Sequence, residues 1–329
     1  MKTVSVIMAT YNGEKFLGEQ LDSILQQTYP ILEIIVQDDC STDGTRDVVR
    51  DYAKRYPFIK LYVNERNIGF NQNFKAAVMK AVGDYVAISD QDDVWQPEKI
   101  EKQMNVIGDH DICYTYHTRG VTPDGSSIRK QTHTFELLLF DSSVSGHNML
   151  CRRAFVQNSE HWMDSIWYDW SLSLHASLGN GLVGVAEPLI WHREHPKEVT
   201  SEFFTEEKAK KTSKWKPYIY GLKGYRQLLK NKNRERLYTY LYGQTTDSRF
   251  LHPHQLCGLL VKTDLVSFLR LCRLCQKNRK IFSPTKSAGM AGWVQGFFYP
   301  FFHGYFCMPD VLFRDFTSQN KKATEIYAD

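Results

Sequence analysis

Short apolar runs alternate with amphipathic stretches through the first third of the chain. Four such runs predict buried strands, at residues 4–9, 34–36, 59–63 and 85–89. Between the first two, Leu17, Leu21 and Ile24 recur at helical spacing, and further helices are predicted to end at Tyr56 and to cover residues 73–82 and 98–107. This alternation predicts an α/β fold with a mostly parallel sheet flanked by helices.

The pattern changes in the second half of the chain. Strands are predicted at 111–116, 146–150 and 182–185, with a helix over 169–178. Beyond about residue 205 the sequence becomes basic, aromatic and helical, most clearly over 237–242 and 265–274. We therefore predict an α/β catalytic domain over residues 1–205 and a mainly helical C-terminal domain over residues 206–329.

Charge is unevenly distributed along this second region. Residues 208–236 hold eleven Lys or Arg and a single acid, Glu235. Such a run is usually a solvated helical face, and the alternative is contact with an anionic membrane surface or a phosphorylated acceptor. Nucleic acid is disfavoured because no nucleic-acid-binding motif accompanies the charge. Aromatic residues crowd residues 293–308, which predicts core packing, a subunit interface in a homo-oligomer, or membrane contact, in that order.

Three features that the sequence lacks indicate the cellular compartment of the protein. The sequence opens almost directly on a strand-like run instead of a secretory leader, and it has no apolar run of about 18 residues. The seven cysteines show no disulfide-like spacing. We expect a cytoplasmic protein, with peripheral contact at the inner face of the membrane as an option.

Acidic residues follow two of the predicted strands directly. Asp90, Asp92 and Asp93 come after the fourth strand, and Asp38 and Asp39 end the second. Ligands of such sheets bind at the carboxyl ends of the strands, so these carboxylates are expected to face a crevice. Hard oxygen ligands suit Mn²⁺ or Mg²⁺, which would neutralise charge on a departing diphosphate.

Asp39 could accept the imide N–H of uracil or thymine, and two other classes of nucleotide-dependent enzyme fit this sequence less well. A dinucleotide-binding dehydrogenase is disfavoured, because no Gly-x-Gly-x-x-Gly motif follows a strand. A nucleotidyltransferase would need a Gly-rich phosphate loop with a lysine near the amino terminus, and the sequence has none.

Five segments resemble the family 2 glycosyltransferases in their order and spacing. They are SVIMATYNG (5–13), VQDDCSTD (36–43), NIGF (67–70), GDY (83–85) and SDQDDVW (89–95). The last is similar to the bacterial rhamnosyltransferase-like branch of surface-glycan synthesis. The resemblance implies a GT-A fold, a nucleotide-diphosphate sugar donor, a divalent metal and inversion at the anomeric carbon.

The resemblance also implies roles for residues of these segments. It assigns nucleotide contacts to residues from four of the five segments, which are Thr10, Tyr11, Asn12, Asp39, Asn67 and Asp90. Metal ligation falls on Asp92 and Asp93. Cys40 stands where the family often has glycine, which is tolerable if the turn keeps φ below zero.

Three segments outside this set extend the resemblance. Asp169 matches the catalytic base of similar enzymes, although a helix N-cap is the alternative explanation. Arg193 and His195 lie in a stretch resembling the family's ending and are expected at the diphosphate, whereas His192 replaces the usual tyrosine. Acceptor contacts are expected from His147, Asn148 and Trp95.

The sequence thus predicts an inverting, metal-dependent transferase of a hexose from a UDP- or dTDP-sugar to a hydroxyl of a glycan, glycolipid or glycoprotein acceptor. A non-catalytic nucleotide-sugar-binding scaffold of the same fold remains the alternative. Retained Asp92 and Asp169 favour the enzyme.

Overall fold

A computed structural model describes residues 1–131, 133–195, 216–282, 288–306 and 313. Strands occupy nine segments of this part, which are β1 (Val4–Thr10), β2 (Ile31–Asp38), β3 (Ile59–Val63), β4 (Tyr85–Ser89), β5 (Val94–Trp95), β6 (Ile112–Gly120), β7 (Ser127–Arg129), β8 (Leu150–Arg152) and β9 (Leu182–Arg193).

Helices alternate with the first strands and then follow one another after β9. Those before β9 are α1 (Glu14–Leu25), α2 (Thr45–Arg55), α3 (Phe70–Val78), α4 (Lys99–Val106), α5 (Phe135–Leu138), α6 (Arg153–Val156) and α7 (Tyr168–Leu178). Those after it are α8 (Lys216–Leu228), α9 (Lys232–Gln244), α10 (Leu251–Leu260), α11 (Leu265–Lys277), α12 (Arg279–Phe282) and α13 (Gly289–Phe306).

The described strands form one mixed sheet in the order β3-β2-β1-β4-β8-β6-β9-β5, with β7 paired to β6. The pairings of β1, β2, β3 and β4 are parallel, as is the long pairing of β6 with β9. Because β1, β2 and β4 are buried on both faces, their uninterrupted apolar runs suit a parallel sheet between helices. The predicted α/β class and mostly parallel sheet are confirmed.

One predicted strand is wrong in its position. Residues 146–150 were expected to be extended, but Gly146–Asn148 form a 3₁₀ turn and only Leu150–Arg152 pair as β8. The hydroxyl of Tyr168 packs against Gly146 so closely that a Cβ there would lie 1.9 Å from it. The turn therefore brings the backbone of Gly146 against the start of α7.

The C-terminal helices share a hydrophobic cluster with the sheet. That cluster runs from Ile7 and Val86 in the strands to Leu256 and Phe268 in the C-terminal helices. The predicted boundary near residue 205 lies outside the described residues. Among the residues that are described, no helix is both long enough and apolar enough to cross a bilayer.

The basic run does not form a uniformly solvated face. Its residues up to Lys214 lie outside the described part, but Arg234 on α9 is buried. Its Nη2 donates to the carbonyl of Leu260 at 2.7 Å, and its guanidinium lies 4.9 Å from the ring centre of Tyr238. This cation is therefore part of the core instead of the surface, because its carbonyl and aromatic partners replace water.

Candidate active site

Three loops meet at the carboxyl ends of β1, β2 and β4. The side chain of Gln91 joins the first and third, since its Oε1 accepts from Tyr11 N at 3.0 Å and its Nε2 donates to Tyr11 O at 3.1 Å. The side chain of Asn12 joins the first and second, accepting from Thr42 N at 2.8 Å. The two acidic turns therefore lie at one edge of the sheet, as predicted.

Two residues predicted to line the nucleotide pocket instead hold these loops together. Thr10 is buried and its hydroxyl donates to Asp38 Oδ2 at 3.1 Å. Asn12 uses its side-chain oxygen on the β2 loop, and its own N–H donates to Ser41 Oγ at 2.9 Å. The Thr10 side chain is thus turned toward Asp38, whereas Tyr11 between Thr10 and Asn12 is partly exposed.

The β2 loop has a left-handed residue where the sequence suggested an ordinary turn. Cys40 adopts a φ of 64°, so the condition of a negative φ is not met. A side chain in this region costs about 1–2 kcal/mol, which explains why glycine suits the position. Asp38 offsets that cost, because its carboxylate accepts from both the N–H and the hydroxyl of Ser41 just beyond the turn.

Asp39 is nearly enclosed by the loop that precedes α3. Its carboxylate accepts from Ile68 N and Gly69 N at 2.8 Å each and from Asn64 Nδ2 at 2.7 Å. Burial raises the pKa of Asp39 against the opposing effect of these bonds. A carboxylate offers about four acceptor sites, so one remains for an outside donor. Asn67, predicted beside the nucleotide, accepts from Gly69 N at 3.1 Å and so shapes the same loop.

Asp92 lies beside Arg193 and His195, the two residues expected at the diphosphate. Its carboxylate is 2.8 Å from His195 Nε2, and its backbone carbonyl accepts from Arg193 Nε at 3.2 Å. The Arg193 guanidinium packs over the rings of Phe16 and Trp191 and pairs with Glu19. The Asp92 side chain keeps 17% of its surface exposed. The structure thus brings Asp92, Arg193 and His195 together at an accessible point.

Asp93 faces a different environment from its neighbour. It is fully buried, with Oδ1 3.0 Å from His192 Nδ1 and Oδ2 3.7 Å from His147 Nδ1. Within the described part of the chain Oδ2 has no hydrogen-bond partner. The ligand atoms of Asp93, His147 and His192 all lie within 4.8 Å of one another, close enough to hold a metal ion. The two predicted metal carboxylates therefore serve two separate clusters.

A third histidine of this cluster escaped the sequence analysis. His117 on β6 packs edge-on against His147 and His192, and its Nδ1 is 3.1 Å from Asn148 Nδ2. An amide nitrogen can only donate, so His117 Nδ1 accepts and the ring proton sits on Nε2. Burial, followed by the two neighbouring histidines, lowers the pKa of His117 to about 2. No motif marks this residue, because only the pairing of β6 with β9 brings it here.

Two of the three residues predicted to contact the acceptor, Trp95 and Asn148, have side chains that lie in the interior. Trp95 is 2% exposed and packs beneath the ammonium of Lys99, which is 3.7 Å from the ring centre. Burial lowers the pKa of Lys99 to about 7. Asn148 is fully buried against His117. His147 remains near the site, with its Nδ1 3.2 Å from Asp90 Oδ2.

Asp169 stands at the start of α7, close to this acidic edge. Its carboxylate accepts from Trp170 N at 2.7 Å and from Gly146 N at 3.3 Å. The N-cap position belongs to Trp167, so the helix-cap alternative is wrong. Burial raises the pKa of Asp169 to about 6, and the charge of Asp90 contributes in the same direction. A partly exposed carboxylate of this kind can take up a proton near neutral pH.

The fold is that of the GT-A enzymes. The crystal structure of S. aureus TarS 1-349 in complex with UDP-GlcNAc aligns with a TM-score of 0.51 at 18% identity, covering 92% of this chain and 89% of that one. The mannosyltransferase PcManGT from Pyrobaculum calidifontis, in complex with GDP-Man and Mn²⁺, aligns with a TM-score of 0.52 at 17% identity. It covers 92% of this chain and 86% of PcManGT.

Sequence relatives agree with the fold. A Bacillus subtilis protein, provisionally named as the teichuronic acid biosynthesis glycosyltransferase TuaG, is 32% identical over 48% of this chain and 63% of its own length. The Escherichia coli UDP-Glc:alpha-D-GlcNAc-diphosphoundecaprenol beta-1,3-glucosyltransferase WfgD is 33% identical over 43% of this chain and 56% of its own length. The match therefore spans less than two thirds of either relative.

The chain covers a larger share of a third relative, and a family model matches the N-terminal part of the chain. The Shigella flexneri dTDP-rhamnosyl transferase RfbG is 28% identical over 57% of this chain and 71% of its own length. Residues 5–160 match the model described as glycosyl transferase family 2, and this range contains both acidic turns that the structure places at one sheet edge. Through this region, the chain is similar to glycosyl transferase family 2.

Proposed function

We propose that this chain is an inverting, metal-dependent glycosyltransferase that moves a hexose from a UDP- or dTDP-sugar to a hydroxyl of a glycan acceptor. One observation carries the proposal above the others. The Asp92 carboxylate, with Arg193 and His195 beside it, shares the sheet edge with Asp169, a carboxylate of raised pKa. The first set suits a diphosphate leaving group and the second suits proton removal from an acceptor.

The donor side is supported by the loops that surround Asp39. Its one unused acceptor site suits the imide N–H of uracil or thymine, and Tyr11 lies partly exposed on the neighbouring loop. Relatives named for UDP-Glc and dTDP-rhamnosyl transfer share this part of the sequence. The name of WfgD, which specifies a diphosphoundecaprenol-linked acceptor, favours a lipid-linked glycan here, with a free glycan or a glycoprotein as alternatives.

The residues around Asp92 fit a divalent metal. Its carboxylate is partly exposed, and His195 Nε2 is already 2.8 Å away, so the pair would hold Mn²⁺ or Mg²⁺ after a small adjustment. Bound there, the ion would supply positive charge to the departing diphosphate. Asp93, predicted as a second ligand, would instead pair with His147 and His192 and orient the acidic loop.

Asp169 would act as the base. Inversion requires the acceptor hydroxyl to attack from the face opposite the leaving group, while a carboxylate on that face takes its proton. The two backbone N–H groups that bond Asp169 fix the carboxylate direction without neutralising it. A pKa of about 6 leaves it mostly ionised at pH 7 and still basic enough to assist.

The remaining assignments follow from this chemistry. Residues 1–205 would form the catalytic domain and residues 206–329 a helical region that contacts acceptor, membrane surface or a second copy. Work on a lipid-linked precursor built from nucleotide sugars would place the protein in the cytoplasm, peripheral to the inner face of the membrane.

A donor-hydrolysis assay tests the proposal. The purified chain is incubated with Mn²⁺ and a panel of UDP- and dTDP-sugars, and the released nucleoside diphosphate is measured. We expect release with one donor, its loss on chelation, and at least about a hundredfold decrease in Asp92→Asn. Asp124→Asn, at an exposed turn, is the matched control and should keep full activity.

Two results would contradict the enzyme assignment. Donor binding without release or transfer, unchanged in Asp92→Asn, would favour the non-catalytic scaffold. Release of pyrophosphate from a nucleoside triphosphate would favour a nucleotidyltransferase instead.

A further inference from the structure

The C-terminal helices carry a charge opposite to that of the rest of the chain. Residues 216–306 contain fifteen Lys or Arg and only three acids, Glu235, Asp247 and Asp264. Residues 1–215 contain 23 Lys or Arg and 30 acids. A net charge of +4 for the whole chain therefore hides a strongly cationic region beside an acidic one. Such an asymmetry points to an anionic partner for the helical region.

Helix α11 carries three of these cations beside exposed apolar side chains. Its inner face packs Phe268, Leu271, Cys272 and Cys275 into the core. Its outer face exposes Leu265, Val266 and Leu269 at 56%, 59% and 41% of their surface. Arg270, Arg273 and Lys277 are exposed further along the same side. We call these six outward residues the α11 face. The helix itself contains no acid.

The N-terminal part of α13 extends this surface at its cationic end. Gln276 of α11 donates through Nε2 to the carbonyl of Trp293 at 3.3 Å, which fixes the two helices side by side. Trp293 leaves 54% of its surface exposed, and Met290, one turn earlier, leaves 82%. A tryptophan beside lysine and arginine is typical of groups that sit at the level of lipid headgroups.

We propose that the α11 face, together with Trp293, docks this protein onto a membrane surface that carries anionic headgroups. The apolar side chains would enter the boundary between headgroups and acyl chains while the three cations bind the headgroup phosphates. A second copy of the chain fits less well, because a symmetric contact through this face would gather six cations without an acid from the helix to pair with them. The proposal needs no particular sugar, metal or reaction, so it can fail independently of the proposed transferase activity.

Vesicle flotation with the full chain tests the docking surface. The vesicles contain either phosphatidylcholine alone or phosphatidylcholine with about 30% phosphatidylglycerol, a composition chosen to make the surface anionic. We expect binding to the anionic vesicles that weakens as salt is raised, and little binding to the neutral ones. Asp92→Asn should bind like the original chain, because its substitution lies in the donor site.

Two triple variants separate the charge from the apolar contribution. Arg270→Gln/Arg273→Gln/Lys277→Gln should lower the partition coefficient about a hundredfold, since each cation contributes about fivefold near an anionic surface. Leu265→Gln/Val266→Gln/Leu269→Gln should lower it about tenfold or more while keeping a helix-compatible sequence. The matched charge control is Arg50→Gln/Lys54→Gln/Arg55→Gln on the exposed side of α2, and it should bind normally.

A fluorescence measurement keeps the test independent of any folding defect. Brominated lipids quench tryptophans that reach the acyl boundary, and Trp293→Phe should remove most of that quenching without reducing binding by more than a few fold. Circular dichroism of each variant checks that the helices remain folded.

Three outcomes would overturn the proposal. The first is equal binding to neutral and anionic vesicles, and the second is equal loss of binding in the α2 control. The third is a charge variant that binds normally but changes the sedimentation coefficient of the lipid-free protein, which would assign the face to a contact between copies.

Discussion

Asp169 illustrates how a single side chain acquires its chemistry from its surroundings. The carboxylate lies at the start of α7, where the N–H of Trp170 favours the ionised form. Burial and the nearby charge of Asp90 oppose that effect and raise the pKa of Asp169 to about 6. The balance leaves a group that is ionised at neutral pH but accepts a proton more readily than an exposed aspartate.

The pH dependence of transfer should report this residue. In the native chain we expect kcat/KM to rise about tenfold per pH unit below pH 6 and to level off above pH 7, because the base works only when deprotonated. Asp169→Asn should lower kcat by about 10²–10⁴ and remove the limb centred near pH 6. The measurement is a pH–rate profile with saturating donor.

Asp164→Asn is the control for this profile, because Asp164 is an exposed carboxylate on the preceding loop. It should keep both the rate and the pH profile of the native chain. An Asp169→Asn enzyme with unchanged kcat would assign proton removal to another group.

Whether a site residue could be predicted from the sequence depends on what determines its position, which is either a local motif or a contact formed only in the folded protein. Asp92, Arg193 and His195 were predicted around the metal and the diphosphate, and they meet at one point because strand ends fix their backbone positions. Trp95 and Asn148 belong to the same motifs, but their side chains turn into the core, and motif spacing carries no information on side-chain direction. His117 was missed because its partners are 14 or more residues away in sequence and meet only across strands.

At the scale of elements, the strand-end loops are held by one another's side chains. Gln91 bonds the backbone of Tyr11, Asn12 bonds the backbone of Thr42, and Asp39 bonds the backbone of Ile68 and Gly69. Each bond links a loop after one strand to the loop after another. The nucleotide edge is therefore one connected unit, and several residues assigned to nucleotide contact serve first to shape it.

A substitution at Asp39 should loosen one loop of this unit. Asp39→Asn places an amide N–H₂ against the N–H of either Ile68 or Gly69, so at least one bond is lost and two donors face each other. We expect backbone amides of residues 65–70 to exchange hydrogen about tenfold faster or more in the donor-free chain. The measurement is hydrogen exchange followed by mass spectrometry.

Because the nucleotide sugar is omitted, the exchange rates do not depend on any contact between Asp39 and the nucleotide base. Asp47→Asn, on the exposed side of α2, removes the same charge nearby and should leave exchange in 65–70 unchanged. Unchanged exchange in Asp39→Asn would show that the loop is held by other contacts.

Element boundaries were predicted well only where periodicity alone determines them. The runs that predicted β1, β3 and β4 are strongly apolar, and the structure confirms them within one residue. The error at 146–150 has a tertiary cause, because Gly146 bends to accommodate the Tyr168 hydroxyl. A contact 22 residues away in sequence leaves no trace in local periodicity.

At the scale of the whole molecule, the helical region is tied to the sheet by buried contacts. Tyr238 on α9 donates its hydroxyl to the carbonyl of Leu139 at 2.6 Å, and both residues are buried. Phe140 packs against Phe282 and Tyr299 from α12 and α13. Buried contacts therefore join the described helices beyond the predicted boundary near residue 205 to the sheet region.

This continuity predicts that sheet and helical region unfold together. Tyr238→Phe leaves the Leu139 carbonyl buried without its donor, which costs about 1–3 kcal/mol. We expect far-ultraviolet circular dichroism and tryptophan fluorescence to report one coincident urea transition, shifted equally to lower urea in the variant. Tyr62→Phe, at a partly exposed position on β3, is the control and should leave the midpoint unchanged. Two separated transitions, of which Tyr238→Phe shifts only one, would instead make the C-terminal helices an independent domain.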